Sequence, residues 1–552
     1  MEHEIVADNF IFRSNQTIGA AAAEHDDIFL NECFVDNGIL SILQDCSDHR
    51  CILVGRTGSG KSALIKTIRE DKDHSISINP DSLSLAHIAN SNVIQFFTEA
   101  GVNLNLFYRL LWRHVFCVEV LQKRFGINNA SKWQGFLNSL WTSIVRNKKH
   151  EMALDYLKEW GDSFWQETDY RVKEVTNKLE RDLEGAIDET IPGLSLNFSA
   201  ARRLSQEQKE EVVNRAQQVV NKVQIKELSA IMDFLDEVLL SDRKKKYYIT
   251  IDRLDDDWVE DRLRFRLIRA LIETGLDFTK ITNVKVIIAI RRDLLDRVYR
   301  FTRDTGFQEE KFRTSSIDLI WSKEKLTEVL DARINALVRR QYTKQVVTHK
   351  DLLRPVVVGK KRTVPAVEYL LERTLLRPRD VISFFNECIV QSDGKTVIDN
   401  HALFQAEGNY SRDRFRALVD EWYGVYPNLG ITAQILRKKN PNFRVKEISA
   451  QEITDFCLEA VTSQDPVDGS DINEMIMVAE DALKPEDYRR NLMLMLYKVG
   501  LIGLRPTDGM PISWSHISSS GVSGAEIDEE TRVYIHPTFH RHFGVSENKA
   551  GS

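Results

Sequence analysis

The sequence predicts an α/β core, a parallel sheet with flanking helices, and three stretches carry that reading. Residues 52–64, ILVGRTGSGKSAL, run from a short apolar strand through a glycine-rich loop into a helix. Residues 247–252, YYITID, and residues 284–293, VKVIIAIRRD, are β-branched or aromatic runs that each end on charged side chains. Continuous apolar runs of this kind are what strands covered on both faces of a parallel sheet require.

The loop comes first. Gly55, Arg56, Thr57, Gly58, Ser59, Gly60, Lys61 and Ser62 fit the G-x-x-x-x-G-K-[ST] pattern of a phosphate-binding loop, in the strand-loop-helix context it needs. Gly55, Gly58 and Gly60 can take backbone angles closed to residues with a Cβ, so consecutive N–H groups can turn inward at the positive end of the next helix. Lys61 is expected to reach the β- and γ-phosphates, Ser62 to offer its hydroxyl to Mg2+, and Ala63 to extend the contact at the head of the helix. The expected ligand is therefore ATP with Mg2+, on a P-loop NTPase core.

The rest of such a site belongs at the ends of later parallel strands. Asp252 lies where the strand 247–251 ends and is expected to hold the metal together with Ser62. Asp255, followed by Asp256 and Asp257, is the first choice for orienting the attacking water; the other reading is an acidic start of a helix beginning near Trp258, which the helix dipole favours. Arg291 ends the strand 284–290, next to the metal strand, and is read either as the group that senses the γ-phosphate or as one of a surface arginine pair opening a helix.

At 552 residues the chain is too long for one hydrophobic core, and about three or four domains are expected. Residues 1–85 and 241–310 are assigned to the nucleotide core, with 1–50 as a lead-in. Residues 86–240 form a helical insertion, because the chain between Ser62 and Asp252 far exceeds a minimal crossover. Within it, Ser205-x-x-Gln208 reads as a capping box opening a helix that runs to about Leu240. Its aromatic residues, among them Phe96, Phe97, Phe107, Tyr108, Trp112, Phe116 and Trp133, read as core, and GLSLNFSA at 193–200 as a short strand. Residues 311–465 are assigned to a helical lid or linker and 466–552 to a winged-helix-like domain. In the latter a helix near 488–499 precedes strands at PISWSHI (511–517) and RVYIHPTF (532–539). The turn between them carries Glu526, Asp528, Glu529 and Glu530, which would repel phosphates, so protein packing is expected there.

A net charge of −7, from 75 Lys and Arg against 82 Asp and Glu, argues against a surface that is basic all over. The segment 333–362, with Arg339, Arg340, Lys350 and Arg354, leaves open a local nucleic-acid patch beside the blander reading of a solvated basic face. The six cysteines lie scattered without a C-x-x-C pair, as in reduced cytoplasmic proteins; Cys46-x-x-His49-x-Cys51 is read as buried thiols rather than a zinc site. With no apolar run long enough to cross a bilayer and no signal-peptide pattern at the start, the expected location is the cytoplasm, with no membrane partner.

Taken together, GRTGSGKS, YYITIDRLDDD, VIIAIRRD and LRPRDVISFFN resemble the phosphate loop, metal strand, sensor strand and lid motif of the STAND and AAA+-like branch of P-loop ATPases. Segments 19–40, 319–334 and 492–504 further resemble a prokaryotic ATPase family found in phage-defence gene clusters. The resemblance spans most of residues 19–543. It implies that Arg379, behind Pro378 at the head of a lid helix, clamps nucleotide, with helix capping as the alternative. It also implies a homo-oligomer that drives a separately encoded effector. Arg253 departs from the pattern, since many AAA+ ATPases place Glu directly after the strand-end Asp, and this puts fast turnover in question.

The function expected is thus an ATP-binding and ATP-hydrolysing molecular switch that relays a signal through assembly or an effector, in prokaryotic antiviral defence. One alternative is a DNA-binding or DNA-loading AAA+-like ATPase. Another is a scaffold that keeps ATP as a structural ligand. The chain has no HExxH, nucleophile elbow or zinc-finger spacing to mark a built-in effector.

Overall fold

The computed structural model describes residues 10–80, 88, 91–143, 155, 157, 168–189, 191–225, 232–237, 244–256, 258–303, 309–341, 345–358, 362–463, 466–467, 469–517 and 521–545. The chain divides into two compact units. Gly38–Arg56 with Lys61–Leu319 make a sheet unit; Met1–Asn37, Thr57–Gly60 and Ile320–Ser552 make a helical unit. The division runs through the glycine-rich loop, and the lead-in to Asn37 groups with the helical unit.

The sheet unit is built on five parallel strands, β1 (Ile52–Gly55), β2 (Ser75–Ile78), β3 (Tyr247–Ile251), β4 (Val284–Arg291) and β5 (Ser316–Asp318), in the order β2-β3-β4-β1-β5. All five residues of β3 and seven of the eight in β4 are buried, which explains why these runs are apolar without alternation. Helices Lys61–Asp71, Asp261–Phe278 and Arg292–Phe301 follow β1, β3 and β4.

Between β2 and β3 the chain is helical. Asn105–Phe125 packs along Asp261–Phe278, with the Trp112 indole donating to the Leu267 carbonyl at 2.9 Å and Phe116 meeting Phe278 edge-on. Phe96, Phe97, Phe107, Tyr108, Trp112, Phe116 and Trp133 are all buried, so these aromatics form core. Ser205 and Gln208 exchange the two bonds of a capping box at the head of Gln206–Ile225; residues 226–231 and 238–240 of the expected helix lie outside the described residues. The strand expected at 193–200 is instead a helix start. Asn197 accepts from the Ala200 amide and opens Phe198–Arg203, and this cap overrides the alternation of Leu194 and Leu196.

The helical unit packs Lys323–Gln341, Ala366–Glu372, Pro378–Gln391 and Asn400–Trp422 with a hairpin of β6 (Val356–Val358) and β7 (Arg362–Val364). Phe10, Phe12 and Ile18 of the lead-in are buried in this core, and Arg333 forms a buried ion pair with Asp26. A second core joins Ala450–Ser463, Ser470–Ala479 and Pro485–Val499 to an antiparallel sheet in the order β8-β10-β9. Here β8 is Asn442–Arg444, β9 Ile502–Arg505 and β10 Arg532–Ile535, so the module starts well before residue 466. The strand expected at 511–517 is corrected: Gly500, at φ +92, ends the preceding helix and releases Ile502–Arg505 as the strand, while Ser513 makes only an isolated bridge to Leu504. Among the described residues, no helix is long and apolar enough to cross a membrane.

Candidate nucleotide-binding site

In the sheet unit the predicted residues gather at the carboxyl ends of adjacent strands. Gly55, the last residue of β1, is the register partner of Arg291, the last of β4. Asp252 follows Ile251, the last residue of β3, which pairs with Ile288. The connection leaving β1 runs to β2 at one edge, and that leaving β4 runs to β5 at the other. Neighbouring strands whose connections part in this way open a crevice at their carboxyl ends, where ligands of parallel α/β sheets bind.

Helix Lys61–Asp71 starts directly after the loop, so the amides of its first turn lack partners within the helix. Lys61, Ser62 and Ala63 are all part-exposed there. The Lys61 ammonium donates to the carbonyls of Gly55 and Arg56, each at 3.1 Å.

Arg291 is part-buried, with its side chain 16% exposed, and is the N-cap residue of Arg292–Phe301, so it does open a helix. Its guanidinium forks onto Asp293 at 3.0 and 2.8 Å and reaches Asp255 at 3.2 Å. The candidate sensor and the candidate water-orienting carboxylate are therefore one ion-paired group. The carboxylate of Asp252 accepts from the Arg253 amide at 2.9 Å, and Arg253 stands at φ +59, in the left-handed region that a residue with a Cβ rarely adopts. The helix expected near Trp258 begins at Asp261, while the Trp258 indole turns back to the Leu254 carbonyl. Asp257 lies outside the described residues.

In the helical unit the centre of the loop is held from its carbonyl side. Arg377 Nη1 donates to the Thr57 carbonyl at 2.8 Å, the Arg379 amide to the Gly58 carbonyl at 3.4 Å, and Trp321 Nε1 to the Ser59 carbonyl at 2.7 Å. Gly58 and Gly60 have φ +75 and +99, and a Cβ on Gly58 would fall 2.7 Å from the Arg379 Cβ. Glycine at 58 thus serves both the turn and the close approach. The Arg379 side chain runs past Gly58 to donate to the Ala21 carbonyl at 3.1 Å.

Arg377 belongs to a buried cluster of two arginines and two carboxylates. It donates to Asp380 at 2.9 Å and approaches Glu421 at 3.5 Å, while Arg414 lies 3.4 Å from Asp380 and 3.5 Å from Glu421. Burial opposes ionisation of Asp380, yet Arg377 and Arg414 outweigh it and hold its pKa below the ordinary carboxylate value. Burial, Arg377 and Arg414 together lower the pKa of Arg379. Sequence reasoning singled out Arg379 and missed Arg377 and Trp321. The Arg-Pro-Arg-Asp spacing marks a helix start but not which arginine turns inward; the extended angles of Arg377 before Pro378 decide that.

Among the described residues no group of three or more His, Cys, Asp or Glu side chains converges as a metal site. Ser62 and Asp252 offer hard oxygen ligands of the kind Mg2+ takes one or two at a time, beside substrate phosphates and water. Elsewhere, the acidic turn is engaged internally: Asp528 caps Thr531, Glu529 pairs with Arg489, and Glu530 with Arg444 and Lys446. In the basic segment, Arg340 pairs with Glu32 at 2.8 Å and lies over the Phe29 ring.

Residues 324–419 match a family described as the FunZ-associated C-terminal helical domain. That span contains Arg377, Arg379, Asp380 and Arg414. Over 549 residues, 98% of this chain and 68% of the other, the sequence is 22% identical to the "Putative transposon gamma-delta 80.3 kDa protein" of Escherichia coli (strain K12). No solved structure matches the chain. Residues 324–419 thus resemble the FunZ-associated helical domain, and the chain is similar along nearly its whole length to a protein named for a transposon.

Proposed function

We propose that the protein binds ATP with Mg2+ at the loop 55–62 and hydrolyses it, acting as a nucleotide-dependent switch on a P-loop NTPase core of the STAND and AAA+-like kind. The observation that carries this reading is the phosphate-loop sequence at the end of β1, with Arg291 at the end of the adjacent β4 and Asp252 at the end of β3 one strand further on. Lys61 and the first-turn amides neutralise phosphate charge. Ser62 and Asp252 would hold the metal, which would supply charge neutralisation to the phosphates.

Asp255 orients water, and Arg291 sets the position of Asp255. A γ-phosphate meeting Arg291 competes with Asp255 and Asp293 for its guanidinium, which links nucleotide state to the pairing at the strand tips. Arg379 is the lid-side residue beside Gly58. Assembly into a homo-oligomer, and relay to a separately encoded effector in phage defence, complete the proposal on the strength of the motif resemblance.

A DNA-handling ATPase is the second reading. It is favoured by the transposon protein's name and by the helix-and-sheet module with β8, β10 and β9, which has the strand pattern of a winged helix. The third, a scaffold with ATP as structural ligand, is favoured by Arg253 and by the ion pair that occupies Asp255. Steady-state hydrolysis with and without DNA, beside sizing in each nucleotide state, separates them. Turnover that ignores DNA, with nucleotide-dependent assembly, supports the switch. DNA-stimulated turnover with steep salt dependence supports the second reading, and bound ATP without turnover supports the third.

A further inference from the structure

We infer that the helical unit orders the centre of the loop from its carbonyl side: Arg377 and Trp321 are positioning residues that turn the amides of Gly58 and Gly60 toward the nucleotide. This rests on the proposed function of the loop. The peptide unit is planar, and in its trans form the carbonyl and the following N–H point in opposite directions.

The Thr57 carbonyl faces Arg377, so the Gly58 N–H faces away from it. The Gly58 carbonyl faces the Arg379 amide, so the Ser59 N–H is turned away likewise. The Ser59 carbonyl faces the Trp321 indole, so the Gly60 N–H is turned away in its turn. Three successive carbonyls are satisfied on one side, which leaves three successive amides for an anion on the other. The left-handed angles of Gly58 and Gly60 allow consecutive peptide planes to be arranged this way.

The two donors are themselves fixed. Arg377 is 3% exposed and clamped by Asp380, with Glu421 at 3.5 Å. Trp321 is 8% exposed, with its ring within 3.8 Å of where a Cβ on Gly60 would lie. A loop held in this way meets phosphate already ordered, and the affinity gained is the ordering cost avoided.

Two variants of the full chain test this. Trp321→Phe removes the donor and keeps an aromatic ring. Arg377→Lys keeps a charge for Asp380 and Glu421 but loses the planar fork that reaches Thr57. Mg-ATP affinity is measured by calorimetry, and nucleotide-free stability by thermal melting, for the wild type, both variants and Lys61→Ala. The expected result is an affinity loss of about fivefold for Trp321→Phe and about tenfold for Arg377→Lys, from the usual worth of a neutral and a charged hydrogen bond. The nucleotide-free melt stays cooperative in both. A wild type whose ATP binding is lost in Lys61→Ala but unchanged in both variants overturns this inference alone. A wild type that binds no ATP, or binds it equally well in Lys61→Ala, overturns the nucleotide reading and this inference with it.

Discussion

Replacing Asp380 by Asn removes one carboxylate from the buried cluster and leaves Glu421 as the carboxylate paired with Arg377 and Arg414. All four side chains are less than 8% exposed, so water cannot screen the excess positive charge. Breaking one partner out of a buried ion cluster costs about 3–5 kcal/mol. In a unit of this size each kcal/mol moves the melting temperature by about 2–4 °C, so the helical unit should melt roughly 6–20 °C lower. Scanning calorimetry with both units in place resolves the shift. The double variant Asp380→Asn/Arg414→Met restores charge balance and should recover at least half of the loss. A shift below about 2 °C for Asp380→Asn, with the double variant no better, would refute the reasoning.

The same carboxylate sets a pH dependence. Its folded pKa is depressed, so its stabilisation is fully present above the unfolded value of about 3.9 and is lost as pH falls through that value toward the folded one. The contribution of Asp380 to stability should therefore stay constant between pH 8 and 6. Below about pH 4 the wild type should lose stability faster than Asp380→Asn.

Three further outcomes are expected. Gly58→Ala places a methyl against the Arg379 Cβ and in a left-handed backbone, so it should weaken Mg-ATP binding by at least tenfold, measured by calorimetry, with the sheet unit intact by circular dichroism. Arg291→Ala releases Asp255 and Asp293 from their shared guanidinium and should lower kcat by about 100-fold while the ATP Kd changes less than threefold, read by single-turnover kinetics. All six cysteines are buried, and burial pushes Cys51 and Cys457 up to about 12. The native protein should therefore react negligibly with a thiol reagent at pH 8 until denaturant exposes all six.

The parts of the fold that the sequence made legible are those set by local chemistry. The loop 55–62 is readable because glycines at 58 and 60 meet a backbone need, and the residues on either side keep strand and helix patterns. β3 and β4 are readable because both are buried along almost their whole length, so β-branched and aromatic residues run through them without alternation. The sheet order is not, since Gly55 and Arg291 are far apart in sequence and only their pairing places β4 between β1 and β3. The strand misplaced at 511–517 shows the opposite failure: its alternation is real, but Gly500 sets the strand earlier, at Ile502–Arg505. The hold on the loop was hidden for a different reason. Arg377 and Arg379 stand two residues apart in one motif, and only tertiary packing shows that Arg377 reaches the Thr57 carbonyl through its side chain and Arg379 reaches Gly58 through its backbone.

The most direct measurement is Mg-ATP binding to the full chain by titration calorimetry, wild type beside Lys61→Ala and Asp252→Ala. One site per chain, lost in Lys61→Ala and made insensitive to magnesium in Asp252→Ala, is the predicted result. Absence of binding in the wild type, or equal binding by Lys61→Ala, would contradict the assignment of residues 55–62 as a phosphate loop.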